Sequence, residues 1–305
     1  MKEHLSVMLK EVLDATDGDI DIRTVVDATL GLAGHSIEIL KKCPQAFLFG
    51  LDQDAEARAI AAERLAPFAS RYEIIADNFR NIGDLKSRKG FSGADFILFD
   101  LGVSNLQITE PERGFSFQYD GPLDMRMNAG EDGSDIQTAE DILRTYDIRD
   151  LTRIFREYGE ERYAYQIAKG IVRHREHGGE LHRTTELVAL IREILPAPVQ
   201  RKMGGHPARR VFQALRIAVN DEMGALSEAL DAALTLLNPG GKMVIITYHS
   251  LEDRMVKHRF RKWKEEGHGE PNPRKALLPS EEEINANYKS RSAKLRIFRR
   301  YVQIE

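Results

Sequence analysis

The first string whose residue types suggest chemistry is Asp27-Ala28-Thr29-Leu30-Gly31-Leu32-Ala33-Gly34-His35-Ser36. Glycines let a backbone pass close to a ligand, and the amino end of the helix expected to follow offers unpaired N–H groups. A dinucleotide loop needs Gly-x-Gly-x-x-Gly. Here the glycines are Gly31 and Gly34 with no third in register, so a pyrophosphate is disfavoured. Asp52, about twenty residues further on, is an acid that can accept both hydroxyls of a ribose. Asp77-Asn78-Phe79 then supplies polar groups for a purine edge and a ring for its face. A glycine loop, a ribose acid and a polar residue, in that order, suit a nucleoside without a diphosphate.

Such residues need a parallel sheet to present them together. Short β-branched or aromatic runs at Thr24 to Ala28, Ala46 to Asp52, Tyr72 to Ala76 and Ala94 to Leu101 alternate with charged periodic segments, the rhythm of βαβ units. Each candidate then falls at the carboxyl end of a strand, the edge where doubly wound sheets bind ligands. Asp54 caps a helix that ends near Pro67. From about Ile108 to Gly133 the chain is polar and punctuated by Gly and Pro, and from Thr138 to Leu195 only helical signals occur. Asp147 caps a stripe of Leu151, Ile154 and Phe155; Thr184 or Thr185 opens another that Pro196 stops. A long helical pattern follows Pro207 and halts at Asn238-Pro239-Gly240-Gly241. Met243 to Thr247 and Lys294 to Ile304 read as further strands, the last antiparallel at an edge. The expectation is one α/β domain, residues 1–107 and 207–305, interrupted by an all-helical domain at 108–206.

With 305 residues and 42% of them hydrophobic, the chain is of ordinary globular type, which excludes fibrous and disordered classes. Its 44 Lys and Arg against 48 Asp and Glu give a net charge of −4. The first 150 residues hold 16 basic and 28 acidic side chains and the remainder 28 and 20, an asymmetry that hints at a nucleic-acid-facing side. Two late runs concentrate the positive charge: Arg254, Lys257, Arg259, Arg261, Lys262 and Lys264, then Lys289, Arg291, Lys294, Arg296, Arg299 and Arg300. They suit phosphate contacts, with a solvated helix face as the alternative. Cys43 stands alone, so no internal disulfide forms, and no Cys/His group has zinc spacing, so no metal is expected. No apolar stretch approaches the length of a membrane helix, and the amino terminus has no apolar signal region; a cytoplasmic protein without a membrane partner is expected.

Several longer strings resemble one family. They are the string from His4 to Leu13, Asp27-Ala28-Thr29-Leu30-Gly31, Phe99-Asp100-Leu101-Gly102-Val103-Ser104, Arg113-Gly114-Phe115-Ser116-Phe117, the string from Asp120 to Met127, the string from His206 to Ile217, and His249-Ser250-Leu251-Glu252-Asp253-Arg254. Together they resemble the MraW family of bacterial 16S ribosomal RNA cytosine-N4 methyltransferases, along nearly the whole chain. The resemblance implies a class I, Rossmann-like methyltransferase domain carrying an inserted helical substrate-recognition domain. It implies S-adenosylmethionine as methyl donor and, as substrate, N4 of a decoding-centre cytidine in the 16S rRNA of the small ribosomal subunit. By motif matching, donor contacts fall on Ala33, Gly34, His35, Asp52, Phe79, Asp100 and Gln107. Three places depart from the usual family strings: Ala33 where glycine is usual, Asn105 where a second serine is usual, and Thr247-Tyr248 where Ser-Phe is common before His249.

The residues also narrow the chemistry. Methylating a base carbon takes a cysteine nucleophile, and Cys43 enters the second strand at the edge opposite the ligand side. Direct transfer to an exocyclic amine or an oxygen remains. An exocyclic amine delocalises its lone pair into the ring, so it must be held in line with the methyl group with an N–H accepted. Asp100 stands where amino methyltransferases often carry Asp/Asn-Pro-Pro-aromatic, without the prolines. It either binds the methionine part of the donor, polarises the amine, or caps its loop. His249 either accepts a proton or orients its neighbours. Arg113 and Phe115, with Phe117, either stack a splayed base or anchor their own loop, and Arg254 is a further substrate candidate. Rival readings are a Rossmann oxidoreductase, which the broken glycine pattern opposes, and a non-catalytic RNA-binding assembly factor; a homodimer stays open.

Overall fold

A computed structural model describes residues 5–18, 20–128 and 136–302. His4, which opens the first family string, and Ile304, at the end of the expected last strand, lie outside them. In chain order the elements are α1 (Leu9–Ala15), β1 (Thr24–Asp27), α2 (Gly34–Lys42), β2 (Phe47–Asp52), α3 (Ala55–Leu65), β3 (Tyr72–Ala76), β4 (Ala94–Asp100), α4 (Asn105–Thr109), α5 (Ala139–Thr145), α6 (Ile148–Glu157), α7 (Ala164–Glu176), α8 (Thr184–Ile194), α9 (Ala197–Lys202), α10 (Arg209–Asn220), α11 (Glu222–Leu236), β5 (Leu237–Thr247), α12 (Ser250–Glu265), β6 (Gly269–Pro271), α13 (Glu281–Ala286) and β7 (Lys294–Arg300). The chain forms two compact units, Met1–Gly102 with Met223–Glu305, and Val103–Glu222.

The first unit is built on a seven-stranded sheet in the order β3-β2-β1-β4-β5-β7-β6. The five strands from β3 to β5 run parallel, and β7 and β6 are antiparallel. This is the Rossmann-like α/β sheet that the βαβ rhythm predicts. The order reverses direction at β1 and β4, which opens a crevice at their carboxyl ends. Because both faces are covered, β4 reads as an unbroken apolar run whose side chains alternate between two cores. Ile97 and Phe99 pack with Leu226, Leu230, Phe260 and Trp263 on one face, while Phe96 and Leu98 pack with Val12, Ile39, Leu40 and Leu65 on the other.

The second unit is helical, with one core that includes Phe115, Leu123, Leu151, Phe155, Ile171, Leu187, Phe212 and Leu215. Its caps follow the chain's signals: Asp147 accepts the N–H of Asp150 at 2.8 Å and Thr138 that of Asp141 at 3.1 Å. Helix α10 belongs here. Residues 207–222, which the sequence places with the sheet, carry an apolar stripe of Val211, Phe212, Leu215 and Val219 that buries against α5 and α6.

Two further differences concern boundaries. The helical pattern after Pro207 breaks at Asp221, whose φ of 45° is left-handed; an aspartate tolerates that conformation, so no glycine marks the break. The helix does stop before Asn238-Pro239-Gly240-Gly241, at Leu236, but these residues lie within β5, which starts at Leu237. Leu237 pairs with Ala94, a register shift follows, and the Asn238 amide donates to Asp95 at 2.8 Å. Residues 238–241 form the bulge between the Leu237–Ala94 and Lys242–Phe96 pairs, so turn residues are accommodated inside the strand without regular pairing to β4.

Candidate functional site

Register brings three acids to one edge. Asp27 pairs with Gly50 of β2 and Leu98 of β4, and Asp52 and Asp100 stand two residues beyond those partners. With a side-chain period of two, Asp52 and Asp100 share a face at the carboxyl ends.

Asp27 is an internal brace. It is buried, accepts the Ser36 hydroxyl at 2.6 Å and the Thr29 N–H at 3.1 Å, and so ties both sides of the glycine loop to β1. Burial pushes its carboxyl above the usual range. Between those anchors the backbone turns through two left-handed residues, Gly31 at φ 51° and Ala33 at φ 59°. A Cβ on Gly31 would meet only the loop's own Thr29 carbonyl, at 3.8 Å, so the space above this residue is open. Ala33 caps α2, and its methyl lies in the apolar core among Ile39 and Leu40, directed away from the open side. The departure from glycine therefore costs the strain of a left-handed alanine, roughly 1 kcal/mol, and does not fill the space a ligand needs.

Asp52 closes the other side of the loop. Its Oδ2 accepts the Gly31 N–H at 2.7 Å and its Oδ1 the Asp54 N–H at 2.8 Å. Each carboxylate oxygen thus has one backbone donor and lone-pair capacity for one more, the set a vicinal diol requires. Burial pushes this carboxyl up to about 6. After β3, Asp77 accepts from the Asn78 N–H and the Asn81 amide, while the Asn78 amide donates to Gln53 at 2.8 Å. The half-buried Phe79 ring stands edge-on to Phe99, 6.0 Å between centroids and 84° between planes.

At the end of β4 the Asp100 N–H donates to the Thr29 hydroxyl at 2.6 Å, joining the strand to the glycine loop. Its Oδ2 lies 3.7 Å from His35 Nδ1, and its Oδ1 accepts the Tyr248 hydroxyl at 2.6 Å. The other ring nitrogen of His35, Nε2, bonds the Val7 carbonyl at 2.8 Å and so carries the hydrogen. Tyr248 is the group that sequence reasoning missed, noted only as a departure from a family phenylalanine. Burial, reinforced by the Asp100 charge, pushes its phenol well above the ordinary range, so it stays protonated and donates. A polar hydroxyl in a place where the family uses a ring was the available signal. Gly102, at φ 100°, lets the chain pass this ring: a Cβ there would sit 3.3 Å from it.

His249 is placed as a helix cap. Its Nδ1 accepts the Glu252 N–H at 3.5 Å, and the Glu252 carboxylate accepts the Tyr248 and His249 N–H groups at 2.8 and 3.2 Å. Nε2 lies 3.0 Å from Glu252 Oε1, at an angle that makes no hydrogen bond. Of the two roles expected for His249, this geometry supports orientation of the β5–α12 turn.

The remaining candidates separate. In the second unit Gln107 is buried and forms a capping box with Ser104, accepting its N–H at 3.1 Å. Arg113 donates to the Met127 carbonyl at 2.9 Å and lies 6.0 Å over the Phe115 ring, which is only 9% exposed. Phe117 stacks on His206 with centroids 4.7 Å apart. Of the two alternatives for Arg113, Phe115 and Phe117, these contacts favour the loop anchor, because Phe115 is buried and Phe117 packs against the core. Asp124 and Arg126 form a two-bonded pair at 2.8 and 2.7 Å. Arg254 is exposed on α12. Cys43 caps the end of α2, remote from the carboxyl edge, and burial pushes its thiol up, which disfavours a thiolate.

This edge meets the needs of S-adenosylmethionine: a diol acceptor, an open glycine loop with no pyrophosphate cradle, and acids to face a sulfonium. A profile of the MraW methylase family matches residues 1–301. The chain is 46% identical over 96% of its length to ribosomal RNA small subunit methyltransferase H of Carboxydothermus hydrogenoformans, of which 96% is covered. It is 43% identical over 96% of its length to the protein of that name from Symbiobacterium thermophilum, of which 95% is covered. The chain belongs to the MraW methylase family, a family of S-adenosylmethionine-dependent methyltransferases.

Proposed function

We propose that this protein transfers a methyl group from S-adenosylmethionine to N4 of a decoding-centre cytidine in small-subunit ribosomal RNA. The relatives' names support the RNA class. The observation that carries direct transfer to a heteroatom is the placement of Cys43: the chain's one cysteine lies away from the edge that holds Asp52 and Asp100, so no nucleophile is present there to activate a base carbon.

In this reading Asp52 holds the ribose hydroxyls, the loop at Ala33, Gly34 and His35 follows the donor's backbone, Phe79 packs on adenine, and Asp100 holds the amino-acid part. The donor supplies an electrophilic methyl group. The protein's task is to hold the amine in line with it. Methylation of a ring-conjugated amine leaves a strongly acidic N–H, which water can remove, so the site needs an orienting acceptor more than a strong base. Tyr248 fixes Asp100 Oδ1, and His249 fixes the turn that carries Tyr248.

Incubation of the protein with methyl-labelled donor and small-subunit particles, followed by nucleoside analysis, tests this. N4-methylcytidine is expected. Label on another base, or only on protein, overturns it.

A further inference from the structure

We propose that the hollow between α12 and the segment running from β6 to Arg274 is a second RNA site, which seats a nucleotide of single-stranded RNA remote from the methyl-transfer edge. It rests on the reading of the substrate as RNA and extends it to a defined place.

The hollow has a volume of about 500 Å³, within the range of small-ligand sites. Its wall is formed by Lys257, His258, Arg261 and Arg274, and its apolar side by Pro271 and Pro273 over the buried Phe260. The charges here differ from those elsewhere in the two basic runs, where internal partners absorb most of them. Lys294 and Arg296 both bond Asp253, at 3.2 and 2.7 Å. Arg259 bonds Asp231 and Ser227, and Arg300 bonds the Leu237 carbonyl. Lys264 reaches Glu270 at 3.2 Å. Arg261 is 3.7 Å from Glu265 with both side chains 70% exposed, a pairing worth at most a few tenths of a kcal/mol. Among the described residues, Lys257, His258 and Arg274 have no acidic partner. The unpaired charge of α12 is therefore gathered around one concave apolar surface, which suits a phosphodiester at the rim and a base or ribose over the prolines.

The helix sets the distance. α12 begins at Ser250, directly after Tyr248 and His249, and at 1.5 Å per residue Lys257 and Lys264 lie roughly 10 and 20 Å along its axis. A strand whose target base is at the carboxyl edge reaches the hollow with nucleotides several positions away. The site would thus contribute affinity and register without touching the reacting base.

The test uses the full chain and a fluorescent twelve-residue oligouridylate, without donor, titrated at several salt concentrations. The double variant Lys257→Glu/Arg274→Glu should weaken binding at least tenfold and reduce the slope of log K against log salt by about 1 to 2, since each lost phosphate contact removes ~0.7. Thermal unfolding and donor affinity should be unchanged, and KM for small-subunit particles should rise while kcat stays. The control Lys86→Glu/Lys89→Glu, exposed and outside the hollow, makes the same charge change. Equal weakening by the control, no weakening by the hollow variant, or equal competition by polyglutamate at matched ionic strength would overturn the proposal. An enzyme that methylated a different base would leave the binding result standing, so the two readings fail separately.

Discussion

At the carboxyl edge of the sheet, Asp52 accepts one backbone N–H on each oxygen and retains acceptor capacity on both, beside a glycine whose missing side chain leaves open space. In the Arg113–Phe117 loop of the helical unit, one guanidinium nitrogen donates to the Met127 carbonyl, Phe115 lies in the core and Phe117 stacks on His206. Both regions looked like ligand contacts in sequence, because both combine a charged group with neighbours suited to a nucleotide. The difference lies in what each region presents after folding. The Asp52 carboxylate is braced by backbone and keeps acceptor capacity, while the Arg113 loop turns its side chains onto its own unit.

Substitution at each region should separate them most clearly. If Asp52 holds the donor ribose as proposed, Asp52→Ala removes two charge-assisted hydrogen bonds and should weaken donor binding by about 3 kcal/mol, ~100-fold, with little loss of melting temperature. Arg113→Ala should do the reverse, lowering stability by roughly 1–3 kcal/mol while donor affinity, read by calorimetry, stays at the wild-type value. A large donor effect from Arg113→Ala would erase the contrast.

A pH titration sharpens the same comparison. Burial pushes the Asp52 carboxyl up to about 6, above its unfolded value, so the ionised form that would accept both ribose hydroxyls in the proposed donor complex dominates only above that pH. Donor affinity should be flat above pH 7 and fall by up to tenfold per unit below about 6, as binding must expel the proton. Asp52→Ala should abolish that slope. A slope that persists in the variant would assign it to another group.

The smallest effect concerns Tyr248. Tyr248→Phe leaves the ring beside Gly102 and removes only the hydroxyl on Asp100, so donor affinity should change severalfold, about 1 kcal/mol, with the fold intact. No change in donor affinity or kcat would show that Asp100 is positioned by the Thr29 and His35 contacts alone.

The chain's own pattern was legible where local chemistry and tertiary context agree. β3 was expected at Tyr72 to Ala76 and lies there, and Asp54 and Asp147 cap the helices they were expected to cap. Elsewhere context won. Asn238 to Gly241 has turn composition yet lies inside β5 as a bulge between two positions paired to β4, and Asp221 breaks a helix with no glycine or proline to announce it. Helix α10 joins the helical unit because its apolar stripe matches α5 and α6, a fact about complementary surfaces that no single segment contains.

The candidate residues divide the same way. The sequence by itself determined the parallel sheet, the order of ligand-facing residues along its edge, the absence of a cysteine nucleophile there and the family, since all of these depend on residue type, period and spacing. Only the tertiary structure decided which groups keep bonding capacity. It turned His249 into a cap, tied Arg113 to its loop, brought the Tyr248 hydroxyl onto Asp100 across 148 residues of sequence, and left Lys257 and Arg274 without acidic partners among the described residues while pairing Arg296. A hydrogen bond is a relation between atoms that may be far apart along the chain, so its presence is fixed by packing and cannot be read from either residue alone.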